Sequence, residues 1–381
     1  MTNESNINCQ VDSLLSRDDT KVIKAIAIIL MLMHHLWGFP TRILGGSLSY
    51  LFTIFDQPSI IYIGAFGKIC VSLFFFTGGY GIYLNSIGKK YDVIKKIKNL
   101  YAAYWKVFVL FIPVAFLFCS SQPVYCDEAE IYGAYNSFSL KECIDNFLGL
   151  SWSYNREWWF LSSYVVAIIS FPVIRAIVNQ CSTKVNILLV IISSILVTNV
   201  LPAIGNIESI GILNNNFLYS RFFCQSAPYV ACFWMGVVVA KGGLLNRLKD
   251  ALVDNGLLNP VLDVLILVSI IYLRQTGIGD VLDIFYIPFL IIAGMDLVSR
   301  CKVVKNILLA LGKQSTNMWL IHTFCCYYFY PVVKVVVAPR WAVLSLIILI
   351  LITYVLSVLV TYFWKTILVG KNKVSMYLLR S

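Results

Sequence analysis

Charge is the first thing this chain is short of. Asp, Glu, Lys and Arg make up 13% of its 381 residues while hydrophobic residues make up 59%, against roughly 25% and 45–50% in soluble domains. A soluble chain could not hide that much apolar surface, so the expected fold class is an all-α polytopic membrane protein. Histidine is scarcer still, with only His34, His35 and His322. Also missing are CxxC, HExxH, Walker and GxSxG patterns, which removes the dithiol-redox, zincin, P-loop and nucleophile-elbow readings. No short apolar stretch with a small-residue cleavage site precedes the first long apolar run, so no cleaved signal peptide is expected. Internal repeats, low-complexity tracts and a second soluble domain are likewise not visible.

What the chain does have is long apolar runs. Stretches of about 17–25 residues occur ten times, at roughly 22–39, 60–84, 100–119, 157–178, 185–204, 222–240, 257–273, 281–298, 316–338 and 341–364. Asp263 interrupts the seventh, and Asp283 and Pro288 the eighth. With both termini in the cytoplasm, 21 of the 30 basic residues fall on the inner side and seven on the outer. That bias has the sign expected of a cytoplasmic N-terminus, and it accounts for the +11 net charge without nucleic-acid binding. The expected organisation is a tail at 1–20, a ten-helix domain at 21–366 that includes an outer loop at 120–156, and a tail at 367–381. The partner of such a domain is the lipid bilayer.

The first run, KVIKAIAIILMLMHHLWGFP, carries two histidines at membrane depth. A titratable side chain in hydrocarbon is costly, and its presence is by default a site hypothesis. Lys24 and His35 are eleven residues apart, which on a helix is three turns plus about 20°, and about 16 Å along the axis. They share one face, with Lys24 near the membrane surface and His35 well inside. His34 points about a quarter-turn away and reads as a packing residue.

Taken in order, the second run is glycine-rich, which suits either close helix packing or close approach of a ligand. A lysine-rich segment follows, and Lys96 and Lys98 lead directly into the third run, where they suit topology, lipid contact or a phosphate-bearing ligand. The outer loop holds Cys126 and Cys143, whose pairing stays open. It ends in SWSYNREWWF, where Arg156, Glu157, Trp158 and Trp159 suit either an interfacial aromatic belt or a carbohydrate-facing surface. Arg221 opens the sixth run. Gly312, Lys313 and Ser315 open the ninth at the inner surface, where a helix start favours anions. His322 lies seven residues beyond Ser315 on the same face, about 10 Å deeper. The tenth run is Leu, Ile and Val without a polar landmark, and it reads as a lipid-facing support.

Three features together resemble the acyltransferase type 3 family of membrane O-acyltransferases. Lys24 with His35 is similar to its Arg-x10-His on the first helix. Phe74-Phe75-Phe76-Thr77-Gly78, followed by Lys96-Ile97-Lys98, is similar to its aromatic stretch and Arg-x-Arg. Leu311-Gly312-Lys313-Gln314-Ser315 through Leu320-Ile321-His322 is similar to its C-terminal motif. Beyond these three, the Glu157-Trp158-Trp159-Phe160-Leu161 stretch is also similar to its "WFL" segment. Lysines replace the family's arginines, keeping the charge and losing the forked geometry. The resemblance implies transfer of an acyl group, most often acetyl from acetyl-CoA, to a hydroxyl of a glycan or lipid-linked glycan at a cell membrane. The chain is expected to be a membrane core without the extracytoplasmic hydrolase-like domain that some members carry.

In residues, the reading puts a neutral His35 as general base, with His322 polarising the thioester, donating to the leaving thiolate or binding the acceptor. Lys24, Lys96, Lys98, Lys313 and Ser315 would hold acyl-CoA, and Arg156, Glu157, Trp158, Trp159 and Arg221 the acceptor. No carboxylate stands at ligand spacing from the first-helix histidines, so no metal is expected. Direct transfer and an acyl-enzyme relay both remain open. A second class also stays open: Lys68, Lys106 and Asp263 inside runs, together with the histidine pair, equally describe a proton-coupled transporter.

Overall fold

A reciprocal cap starts the first helix. Ser16 Oγ accepts from the Asp19 N–H at 3.1 Å and the Asp19 carboxylate accepts from the Ser16 N–H at 3.0 Å, which satisfies two donors that a helix start leaves open. The computed structural model describes residues 15–54, 56–120, 133–205, 207, 219–220, 224–275 and 279–378. Cys126 and Arg221 lie outside them.

From the cap runs α1 (Arg17–Trp37). It is followed by α2 (Ser59–Gly67), α3 (Ile69–Ser86), α4 (Val93–Phe118), α5 (Leu140–Phe147), α6 (Trp159–Gln180) and α7 (Thr183–Ile195). Then come α8 (Ala227–Gly242), α9 (Leu244–Asp254), α10 (Pro260–Leu273), α11 (Asp283–Ser299), α12 (Lys302–Lys313), α13 (Ser315–Thr323), α14 (Tyr330–Val337) and α15 (Ala342–Leu378). A two-residue hairpin, Thr53–Ile54 with Gln57–Pro58, is the one sheet among the described residues.

Every expected span contains helix. Six helical stretches among the described residues are long and apolar enough to cross a membrane, and eight if each sharply bent pair is one span. The bent pairs are α8–α9, at 72°, and α13–α14 with the π-helical turn between them, at 85°. Gly243, at φ +58°, makes the first bend; only glycine takes that conformation without cost. The seventh and eighth expected spans are helices of 14 and 17 residues, shorter than the roughly 20 that a bilayer core needs. Each has a carboxylate in its first turn, Asp263 or Asp283. The molecule is thus an all-α multi-pass membrane protein, with apolar side chains such as Leu117, Val173 and Leu351 facing outward.

Glycines set the closest helix contacts. A Cβ on Gly79 would lie 2.0 Å from the Phe233 carbonyl oxygen, and one on Gly236 would lie 2.1 Å from that of Phe76. The α3–α8 seam therefore closes only because both positions lack side chains. Gly236→Val is expected to abolish recovery of folded protein, checked by monodispersity in detergent; normal recovery would show that the seam relaxes. On α1, Gly64 and Gly67 of α2 approach Gly38 and Leu30 in the same way, so α2 is pressed against the His34–His35 end.

The tenth span departs from its expected role. Ser345, Thr353 and Ser357 of α15 are fully buried, and Asn317 of α13 donates to Ser357 O (3.3 Å) and Thr361 Oγ1 (2.9 Å). One face of α15 points outward, and the other carries polar groups, of which Ser357 and Thr361 meet α13. The four-residue spacing 345, 353, 357, 361 marks that face in the sequence.

Candidate functional site

Four helices, α1, α3, α6 and α13, enclose two cavities stacked end to end. The wider, of about 600 Å3, is lined on α1 by Arg17, Thr20, Lys21 and Lys24, on α3 by Thr77, Gly78, Gly81 and Asn85, and on α6 by Tyr164 and Ile168. Lys96 and Leu100 of α4 and Gly312, Lys313, Ser315 and Thr316 complete it. The deeper, of about 230 Å3, continues along the same faces: Met31 and His35 on α1, Val71 and Phe74 on α3, Trp159 and Phe160 on α6, Trp319 and His322 on α13. Each wall advances by helical steps of three, four or seven residues, so the basic cavity and the histidine-lined one lie along the same helix faces. Phe160 stands between them, 4.8 Å from the Trp319 ring and 6.0 Å from that of Phe74.

At the deep end the His35 and His322 ring centroids are 4.9 Å apart, though the residues are 287 positions apart in the chain. His322 is fully buried, and its Nδ1 lies 2.6 Å from the Trp319 carbonyl oxygen. A carbonyl only accepts, so the proton sits on Nδ1 and Nε2 carries the lone pair. That Nε2 is buried and has no hydrogen-bond partner among the described residues. His35 is also buried, with Nε2 3.7 Å from Glu157 Oε2 and Nδ1 3.4 Å from the Tyr327 hydroxyl. His34 Nδ1 donates to the Gly64 carbonyl oxygen at 2.9 Å, which ties α1 to α2 as a packing residue would, although its ring also borders the cavity.

Glu157 reaches His35 because its loop is fastened on three sides. Asn155 Oδ1 accepts from Thr323 Oγ1 at 2.9 Å, the Trp158 indole donates to Leu320 O at 3.0 Å, and the Arg156 N–H donates to the Tyr328 hydroxyl at 3.2 Å. A π-helical turn at Phe324–Tyr328 supplies Tyr328 and also Tyr327; such single turns are frequent at functional sites.

The sequence-predicted residues thus divide. Lys24, Lys96, Lys313 and Ser315 share the wide cavity, and His35, His322, Glu157 and Trp159 share the deep one. Lys98 is exposed and lines neither, because residues two apart on a helix face opposite ways. Trp158 is core, packed between Tyr104 and Phe324, and Arg156 does not border the deep cavity. Sequence reasoning missed Tyr164, Tyr229 and Tyr327, whose aromatic surroundings carried no distinguishing signal. It also did not assign Lys68, a deep-cavity residue, to this site. Among the described residues no group of three or more His, Cys, Asp or Glu is arranged to hold a metal ion.

No curated protein and no solved structure matches the chain. A family model described as an acyltransferase domain does, over residues 19–363. Those residues run from the cap of α1 into α15 and contain both cavities. Of the two function classes the sequence leaves open, this match selects the enzyme. The chain belongs to the acyltransferase type 3 family and is a membrane acyltransferase.

Proposed function

We propose that the protein transfers an acetyl group from acetyl-CoA to a hydroxyl of a cell-envelope or exported glycan, with His35 as general base. The observation that carries this reading is the cavity ringed by Arg17, Lys21, Lys24, Lys96 and Lys313, which lies along the same helix faces as the cavity of the buried His35–His322 pair. A polyphosphate donor with a long arm needs a cationic mouth and a narrow interior. The aromatic deep cavity, with Phe39, Trp159 and Tyr229 among its walls, suits an acceptor that presents an apolar ring face and a few hydroxyls. A space of about 150 Å3 admits a benzene-sized molecule, so about 230 Å3 accommodates an acetyl thioester and the attacking hydroxyl of a sugar. The basic mouth then faces the cytoplasm of a cell membrane.

A sugar hydroxyl is a weak nucleophile at neutral pH. His35 takes its proton as the oxygen attacks the thioester carbonyl carbon, and the imidazolium that forms lies opposite the Glu157 carboxylate. The tetrahedral intermediate collapses by breaking the C–S bond, and the proton held on His35 leaves with the thiolate. His322, its tautomer set by Trp319, offers the Nε2 lone pair to a second, neighbouring hydroxyl of the acceptor and so orients the one that attacks. Direct transfer follows most simply, since donor and acceptor then meet in one cavity.

Lys96 and Lys98 give the sharpest test of the donor site. A hydrogen bond to a charged group contributes about 1.5–3 kcal/mol, so Lys96→Ala is expected to raise the acetyl-CoA KM about tenfold or more. Lys98→Ala is expected to leave it unchanged. Steady-state kinetics with a fixed acceptor decides; equal effects at both positions would contradict the donor path.

A further inference from the structure

The apolar run at 60–84 is not one helix. α2 ends at Gly67, α3 begins at Ile69, and Lys68 sits at the join. A break at membrane depth leaves backbone carbonyls without partners, at a cost of several kcal/mol each, unless other groups meet them. Here the Lys68 N–H reaches back to Ala65 O and Phe66 O, and a buried side chain adds to it. The Arg274 guanidinium donates towards Ala65 O and Phe66 O at 3.4 and 3.5 Å. Its Nε and Nη2 donate to Asp283 at 2.8 and 3.2 Å, and the Ser72 hydroxyl donates to the same carboxylate at 2.6 Å. Both charged side chains are almost fully buried, at 4% and 1% exposure.

That arrangement keeps open a join whose one evident product is local. It brings Lys68, with the positive end of the α3 dipole, to the wall of the cavity that holds His35, His322 and Glu157. The same cavity holds the buried Nε2 of His322, which has no hydrogen-bond partner among the described residues, so a polar part of a ligand belongs in it. We propose that Lys68 is a catalytic residue whose ammonium group stabilises the oxyanion formed on the thioester carbonyl oxygen.

The inference rests on the acyl-transfer reading above. As the acceptor oxygen bonds to the carbonyl carbon, the C=O π pair moves onto oxygen. Lys68 meets that charge without giving up its proton, and the charge returns to re-form C=O as the C–S bond breaks. A cation fixed in a water-poor cavity acts more strongly in the transition state than on the neutral thioester.

The test is steady-state acetyl transfer by purified wild type, Lys68→Met, Lys68→Gln and Lys68→Arg, with acetyl-CoA binding measured for each by thermal stabilisation. Removing one oxyanion donor lowers kcat about 10²–10³-fold. The expected result is a loss of that size in both neutral variants with unchanged acetyl-CoA affinity, and recovery of at least tenfold in Lys68→Arg. Unchanged kcat with a raised acceptor KM would overturn the inference and make Lys68 a site for an anionic acceptor. Normal kcat and KM in a neutral variant would overturn it outright while leaving the acyl-transfer reading intact. Wild type that does not consume acetyl-CoA would overturn both.

Discussion

His35→Gln is expected to lower kcat for acetyl transfer by about 10²–10⁴-fold, the usual contribution of a positioned acid–base group, while acetyl-CoA affinity holds. Glutamine keeps a polar tip of similar reach but cannot carry the proton. The proposed donor grip lies about 16 Å away along α1, at Lys24, so the two functions should separate. Glu157→Gln should lose less than His35→Gln, since it removes the charge opposite the imidazolium and keeps the base. A His35→Gln protein with normal kcat and a normal gel-filtration profile would remove His35 from the chemistry. Equal losses in kcat and affinity would make it a packing residue.

Asp283→Ala is expected to lower stability strongly. It would leave the Arg274 guanidinium buried opposite an empty position, and loss of one partner of a buried pair costs about 3–5 kcal/mol. Ser72 would lose its acceptor at the same time. The join at Lys68 would loosen with it, because the guanidinium that meets Ala65 O and Phe66 O is held by Asp283. Thermal unfolding in detergent should therefore fall sharply for Asp283→Ala and less for Asp283→Glu. A midpoint unchanged in both would mean that the pair bears none of the load at the join.

Much of the site was legible because it depends on rarity and helical spacing. Three histidines in an apolar chain mark themselves, and the eleven-residue step from Lys24 to His35 and the seven-residue step from Ser315 to His322 lie on single helix faces. The same periodicity separates Lys96 from Lys98, and it marks the buried polar face of α15. Both were available in the sequence. What was not legible is non-local. Glu157 reads as a loop carboxylate among tryptophans; its place beside His35 depends on bonds to Thr323, Leu320 and Tyr328. The break at Lys68 falls in a run without proline, and Arg274, just past the end of α10, holds it through Asp283. In the ten-span reading Asp283 served only to interrupt the eighth span. Buried charge in such a chain is better read as one half of a pair still to be found.

The account's central claim is acyl transfer from CoA through His35, and release of free CoA tests it most directly. Purified protein in detergent would be given acetyl-CoA, with and without a crude glycan-lipid extract, wild type beside His35→Gln. The account predicts release that requires both the extract and His35, with the acetyl group recovered on a glycan hydroxyl by mass spectrometry. Folded wild-type protein that releases no CoA with any extract, or His35→Gln protein that releases it at the wild-type rate, would contradict the claim.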